Sequence, residues 1–415
     1  MIAYTHYTSD PRVRREAEAL AERGDHVTCW CLEEDRAPDP GDLRGVQLRT
    51  VRIPRYRGGR ASAYVRSYTR FFALAGLQMA RDHVAEAFDV VHVHTMPDFM
   101  VFTALPQRLL GAKVVLDMHD LMPDLYAVKF GLSRTGRAVQ ALRAVQGLSA
   151  SFADAVICVH QPQYELLLRD GVPARKLAIV MNAADPRLFP PRKKQPRVSD
   201  DQPIRVVYHG TVLHRYGVDL AVQALAEARK TEPRLKLTIL GDGDFMPEVR
   251  RLAESLDLGP DALELSEGRV PLTEVAQAIR SAHIGIIPNR DDQEDSVLPT
   301  KLLEYVAVGI PAIATATRCI TRYFDASQLE LVPVADVSAM ADALVRLAGD
   351  RERRRGLVKA ARAWQDEYGF EVQKRLLYRT IDHLCREKVA AERKARQKQK
   401  QGVKTGRRHT PAKPV

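Results

Sequence analysis

Residues 295–315, DSVLPTKLLEYVAVGIPAIAT, hold one full step of an alternating fold. Residues 301–308 read as a helix, and Pro299 suits its first turn, where a missing N–H costs nothing. After Gly309 and Ile310 the run 311–315 is apolar and short, the pattern of a buried strand. Moving outward, the same alternation recurs on both sides. Strands are predicted at 205–208, 236–240 and 284–287, with helices at 218–230, 247–255 and 272–281 between them. An earlier series has strands at 1–4, 26–31, 90–94, 113–118, 155–159 and 177–181, with helices such as 11–23 among them.

The two series are separated by residues 186–203, PRLFPPRKKQPRVSDDQP, whose prolines and charges make a linker. The expectation is therefore an α/β chain of two Rossmann-like, doubly wound parallel-sheet domains, 1–185 and 204–360, facing a cleft. In such sheets ligands sit beyond the carboxyl ends of the strands.

Composition fits that architecture. Of 415 residues 45% are hydrophobic and 28% charged, which is ordinary for a globular chain and excludes a fibrous one. No apolar stretch reaches the roughly 18 residues a membrane span needs. No basic leader with an apolar core opens the sequence, so a cytoplasmic setting is expected. The five cysteines are scattered and read as buried thiols. Net charge is +11, but residues 386–415 hold eleven Lys or Arg against two Glu, leaving +2 for the rest. That tail is predicted to be a frayed helix followed by disorder. It reads equally as a solubilising extension or as an anchor on the anionic inner face of a membrane, which would make the protein peripheral there. Nucleic-acid binding would use the charge too, but the excess lies in one tail rather than on a domain face.

Within 295–315, Lys301 and Glu304 are three apart and share a helix face. A helix N-terminus with a lysine favours phosphate, and a carboxylate one turn on can accept two hydroxyls of a ribose. A nucleoside diphosphate fits. Taken alone, the pair is also a surface ion pair worth about 0.2–0.5 kcal/mol. The segment RVVYHGTVLHRYGVDL at 205–220 supplies a strand ending at Gly210, a loop with Arg215 and a helix start near Gly217. Arg215 could complete a phosphate clamp, or be an exposed residue of a plain turn. LGDGD at 240–244 ends another strand with Gly241 and Gly243. Its Asp242 and Asp244 have the spacing of a metal-binding pair, but the two cations make a metal unnecessary.

In the first domain, Asp10 and Pro11 open a helix whose first turn holds Arg12, Arg14 and Arg15, an inversion of the usual dipole preference that invites an anionic partner. An Arg12–Glu16 pair would absorb one of these charges. Residues 52–72 are rich in Arg and aromatics, including Arg55, Tyr56, Arg57, Arg60, Tyr64 and Tyr68, which suits a membrane surface or a solvated helix face. His92 and His94 face one way from a strand; with no compact third ligand, strand-end structural histidines are preferred to zinc. His119 and Asp120 follow the strand in VVLDMHDLMPD, at the end where chemistry is expected.

Together, DPRVRREAEALAERG, ADAVICVH with VMNAADPRLF, YHG with RYGVDLA, LTILGDGD and LPTKLLEYVAVGIPAIAT resemble, in order, segments of glycosyltransferase family 4. The resemblance covers the chain to about Cys385. It implies the GT-B fold and a retaining transferase that moves a sugar from a UDP- or GDP-sugar to a hydroxyl of a glycan or lipid-linked acceptor in envelope or exopolysaccharide synthesis, with no metal or other cofactor. Arg215 and Lys301 then bind the diphosphate, Glu304 the ribose and His119 the transferred sugar. Gly210, Thr211, Gly241, Gly243 and Ser296 complete the donor side. Asp10, Arg12, Arg14, His94 and Asp120 lie on the acceptor side. Asn182 and Asp185 match the inter-domain signature, and a helix at 361–385 returns to the first domain.

Three departures stand out. Ser296 replaces the first of two family glutamates, with Glu294 and Asp295 beside it. Thr211 and Tyr216 replace basic residues of the phosphate loop. HYTSDP replaces an early Gly-Gly loop. A sugar-nucleotide epimerase shares this architecture and differs in needing no acceptor.

Overall fold

The computed structural model describes residues 1–34, 38–54, 61–193, 196, 202–290 and 297–406, of which 40, 42, 61, 128, 129 and 391–406 are described by backbone alone. Ser296 with Glu294 and Asp295, Arg55, Tyr56, Arg57 and Arg60, and the last nine residues of the tail lie outside the described residues. Contacts divide the chain into two units, 1–180 with 374–415, and 181–373.

In the first unit β1 (Ile2–His6) leads into α1 (Pro11–Arg23), then β2 (Thr28–Leu32), β3 (Gln47–Val51), α2 (Ala61–Ala85) and β4 (Val90–His94). There follow α3 (Leu105–Leu109), β5 (Lys113–Met118), α4 (Met122–Lys129), α5 (Arg137–Phe152), β6 (Ala155–Cys158), α6 (Gln161–Arg169) and β7 (Leu177–Ile179). The sheet order is β3-β2-β1-β4-β5-β6-β7, all parallel. Strand β6 reads as an unbroken apolar run, and β5 as one interrupted only by Lys113 at its start and Asp117 near its end, the pattern of strands buried on both faces. The strand order reverses between β1 and β4, the switch point where such sheets place ligands. Asp10 caps α1 by accepting the N–H of Arg12 and Val13, each at 3.2 Å, and Gly24 ends the helix at φ 101°.

The second unit runs β8 (Ile204–His209), α7 (Val218–Ala228), β9 (Leu235–Leu240), α8 (Met246–Ser255), β10 (Leu263–Leu265) and α9 (Leu272–Ser281). It continues with β11 (Ile284–Ile287), α10 (Thr300–Val308), β12 (Ala312–Thr315), α11 (Arg318–Thr321), β13 (Glu330–Val332), α12 (Val337–Gly349) and α13 (Arg351–Tyr368). Its parallel order is β10-β9-β8-β11-β12-β13, with the reversal between β8 and β11. The last helix, α14 (Phe370–Gly406), closes the chain, and its Leu377, Ile381 and Leu384 join the core of the first unit.

Several expectations need correction. Pro299 is the residue before α10, at φ −64° and ψ 123°, not part of its first turn; the restricted φ suits a cap equally well. The edge strands β3, β10 and β13 escaped the sequence reading. Short or charged, as in QLRTV and LEL, they lack an apolar run, which is how natural edges avoid pairing with other chains. The return to the first unit begins at Lys374 rather than 361, because α13 stays with the second unit and sends Leu357 into its core. Residues 186–193 are coil but tied down: Arg192 donates to the carbonyls of Ile279 and Ala282, and its N–H to that of Val308. The tail, expected to begin as a frayed helix, is helical through Gly406, and the disorder expected after it falls outside the described residues.

Candidate functional site

At the carboxyl end of β8 the chain turns through Gly210, at φ 104°, where a Cβ would come within 3.3 Å of Lys301 Cε. Glycine therefore makes room for the lysine. The turns after β8 and β9 press on each other. A Cβ on Gly241 would lie 1.9 Å from the Gly210 carbonyl oxygen, and one on Gly243 would lie 2.1 Å from that of Val212. Gly241 and Gly243 were expected to contact a donor; what requires them is backbone against backbone. Asp242 accepts the Gly243 N–H at 2.8 Å.

Lys301 enters this pocket of backbone from the first turn of α10 and is only 8% exposed. Its Nζ donates to the Tyr208 hydroxyl at 3.2 Å and lies 4.6 Å from the ring centroids of both Tyr208 and Tyr216. Tyr208 in turn donates to the Thr211 carbonyl at 2.9 Å. Burial lowers the lysine to about 8, with Glu304 opposing the shift and Arg215 adding to it. Arg215, in the turn His214–Tyr216, donates to the Tyr216 hydroxyl at 2.9 Å, while its Nε is buried without a partner. Among the described residues, neither Lys301 nor Arg215 pairs with a carboxylate. The surface ion-pair reading of Lys301 and Glu304 is thereby overturned. Glu304 instead meets His209, with Oε2 and Nε2 3.0 Å apart, at an angle that leaves both atoms without a hydrogen bond.

Sequence reading missed the aromatic walls of Tyr208 and Tyr216 and the brace behind them. Arg290 grips Asp219 at 2.6 Å and the His214 carbonyl at 2.6 Å, and its N–H meets the Arg215 carbonyl. Tyrosine has no spacing signal here, and Arg290 lies in a loop. Thr211 is exposed beside Gly210.

In the first unit the register of β4 and β5 sets His94 beside Asp117. Arg12 reaches this carboxylate from α1 with two parallel bonds, Nε to Oδ2 at 2.9 Å and Nη2 to Oδ1 at 2.8 Å, and also meets Glu16 at 3.2 Å. Arg14 pairs with Glu18 at 2.6 Å. The arginines of the first turn were expected to seek an external anion; internal carboxylates answer Arg12 and Arg14 instead. Glu16, His92, His94 and Asp117 could each offer a ligand atom within 4.8 Å of the others. Arg12 already bonds both carboxylates and supplies one of the two positive charges a divalent ion would bring.

His92 and His94 stack at 4.3 Å. They are not fully satisfied strand-end histidines, since both nitrogens of His92 and Nε2 of His94 lack hydrogen bonds. His119 Nε2 lies 3.0 Å from His94 Nδ1 and 3.6 Å from Asp117 Oδ2. Burial pulls His119 down, but the Asp117 carboxylate outweighs it and the net shift is upward. His94 is held well below its usual value by burial and by His92. A cavity of about 320 Å³ opens here, lined by His94, His119, Asp10 and Asp120 and by Tyr4, Tyr64, Tyr68 and Tyr126. The tyrosines were not singled out beforehand, apart from Tyr64 and Tyr68 as part of a surface.

Residues 9–183 match the model of the glycosyl transferase 4-like domain, and residues 203–350 match that of glycosyl transferases group 1. The chain belongs to the glycosyltransferases. An exopolysaccharide phosphotransferase of Streptomyces coelicolor is 32% identical to this glycosyltransferase over 208 residues, 49% of the chain and 20% of the relative. The chain matches less than half the length of the curated relatives it resembles. Sucrose-phosphate synthase from Thermosynechococcus elongatus superposes with a TM-score of 0.71 at 20% identity, covering 94% of this chain and 98% of that one. The Anabaena protein HepE in complex with UDP and glucose gives 0.69 at 12% identity, covering 92% and 98%. At these identities the structural likeness establishes the GT-B fold of two Rossmann-like units.

Proposed function

We propose that this glycosyltransferase moves a sugar from a UDP- or GDP-sugar to a hydroxyl of a glycan or lipid-linked acceptor, with retained anomeric configuration and without a metal, in polysaccharide biosynthesis. The observation that carries the reading is the pair of cations, Lys301 and Arg215, at the strand ends of the second sheet, neither paired with a carboxylate among the described residues. No acidic residue sits in the first turn of α10, so the helix dipole adds to their field. As the glycosidic bond breaks, negative charge grows on the β-phosphate, and fixed cations stabilise it without reorganising. Glu304, with Oε2 lacking a hydrogen bond, is suited to accept ribose hydroxyls. Gly210 and Thr211 lie beside the lysine, and Ser296 belongs to the same donor side by family resemblance.

His119 is assigned the transferred sugar, with Asp10, His94 and Asp120 beside it in the first-unit cavity. The carboxylate closest to His119, Asp117, is fully buried and held by Arg12, which denies it a role as nucleophile. Same-face departure assisted by the leaving phosphate accommodates that. HepE, which shares the fold, was seen with UDP and glucose, and the relative from Streptomyces coelicolor is named for an exopolysaccharide. A peripheral site on an anionic inner membrane face is supported by α2, where Val65, Leu77 and Val84 are exposed together with Arg66, Arg70 and Arg81.

Thermal melting with UDP, GDP and ADP tests the donor. The true nucleotide at about 100 times its Kd should add about 2.7 kcal/mol, and no response to any of the three would remove the reading. Anomeric proton signals of the product then report retention or inversion.

A further inference from the structure

Asp117 and His94 stand side by side across β4 and β5, and both address the same nitrogen of His119. The imidazole is thus gripped at Nε2. Its Nδ1 has no hydrogen-bond partner among the described residues, and the ring lines the tyrosine-walled cavity with about a fifth of its surface open, 18%. The backbone is also held, since the His119 N–H donates to Thr95 Oγ1 at 3.1 Å. Asp117 cannot swing away, because Arg12 fastens both its oxygens and itself donates to the Val180 carbonyl at 3.1 Å. His94 cannot turn freely either, with His92 stacked on its face.

We propose that Asp117 and His94 are positioning residues that hold a protonated His119 by Nε2–H, so that Nδ1–H of the imidazolium is aimed into the first-unit cavity as a hydrogen-bond donor to a hydroxyl oxygen of the transferred sugar. The assignment of the sugar to His119 rests on the function proposed above; the grip on the ring does not. Physically, a fixed ring nitrogen is worth more than a mobile one, because the cost of orienting the donor is met before the sugar arrives. Arg12 acts at one remove, as the anchor of Asp117. The chain supplies the two halves of the device from distant segments, DPRVRRE at 10–16 and VVHVH with DMHD at 90–94 and 117–120.

The charge of His119 follows from the same arrangement. The groups facing it are Asp117 on β5, His94 and His92 on β4, Arg12 on α1 and Asp10, the cap of α1. Asp120, Tyr4, Tyr68 and Tyr126 share its cavity. Asp117 is the dominant carboxylate, so its loss lets burial prevail and the ring becomes neutral more readily.

The test uses the full-length protein with three variants, Asp117→Asn, His94→Phe and, to identify the resonance, His119→Gln. Ring carbon signals of the histidines are followed against pH in the free protein. The expected result is that Asp117→Asn moves the His119 titration to lower pH, while UDP and GDP affinities, a property of the second unit, stay at the wild-type level. In transfer assays His94→Phe, which keeps a ring on His92 but removes Nδ1, should lose kcat by about 10- to 100-fold with KM for the donor unchanged. If Asp117→Asn fails to fold because Arg12 is left unpaired, His94→Phe alone decides. An unmoved His119 titration in a folded Asp117→Asn, or an unchanged kcat in His94→Phe, overturns the proposal. Absence of nucleotide binding in the wild type would instead sink the donor reading and leave the His119 titration to judge the grip by itself.

Discussion

Lys301 Nζ stands 3.2 Å from the Tyr208 hydroxyl and 4.6 Å from the centroid of the same ring. A buried ammonium is therefore held by a phenol and a π-face instead of a carboxylate. Such a cation keeps most of its field for a ligand, and a phosphate arriving there completes a charge that no carboxylate among the described residues answers.

Truncating either cation should weaken the nucleotide. Lys301→Ala and Arg215→Ala are each expected to cost about 1.5–3 kcal/mol of UDP or GDP binding, the range for hydrogen bonds to charged groups. Titration calorimetry measures this directly, and the folded state is checked by an unchanged melting temperature without ligand.

Nucleotide binding should also fade in mild alkali. Burial lowers Lys301 to about 8, so the free protein loses this positive charge as pH rises through that value. The phosphate prefers the ammonium, so affinity is full below about pH 7 and declines above 8. Lys301→Arg, which stays charged, should flatten the profile between pH 7 and 10. A wild-type Kd that is level across this range would contradict the assignment.

Gly241→Ala should damage the fold rather than the ligand contacts. A Cβ there meets the Gly210 carbonyl oxygen at 1.9 Å, on a backbone at φ 151°. The cost should be at least about 1–3 kcal/mol, typical of a non-glycine residue forced into such a conformation. Urea unfolding of the free protein reads it.

How legible this was depends on the residue. The strands at 90–94, 113–118 and 284–287 and the helices at 11–23 and 272–281 emerge at their structural bounds, because buried parallel strands and capped amphipathic helices leave strong patterns. The edge strands β3, β10 and β13 do not, for they are built to look unlike strands, although β7, the other edge of the first sheet, was read at 177–181. Lys301, Glu304 and Arg215 could be proposed from their place after a strand or at a helix start. Their distinction from surface ion pairs could not, since it depends on Tyr208 and Tyr216 covering the lysine. Arg12 shows the opposite case. Its position in a basic first turn suggested an external anion, and only the fold brings Asp117, 105 residues away, to meet it.

That ion pair supports its own prediction. Arg12→Met leaves Asp117 and Glu16 buried without their cation, which should cost about 3–5 kcal/mol. Asp117 sits well below its usual range because Arg12 and His119 outweigh burial. Its contribution to stability is thus present near neutrality and lost as pH falls through the depressed folded-state value. Acid unfolding of the wild type and of Arg12→Met should differ accordingly, with the variant already weakened at pH 7.

The most direct measurement is a crystal structure of the protein with UDP or GDP, whichever raises its melting temperature. The account expects pyrophosphate oxygens at about 2.7–2.9 Å from Lys301 Nζ and the Arg215 guanidinium, with the ribose hydroxyls on Glu304. A pyrophosphate bound away from those side chains, with Lys301 still against Tyr208 and nothing else, would contradict it.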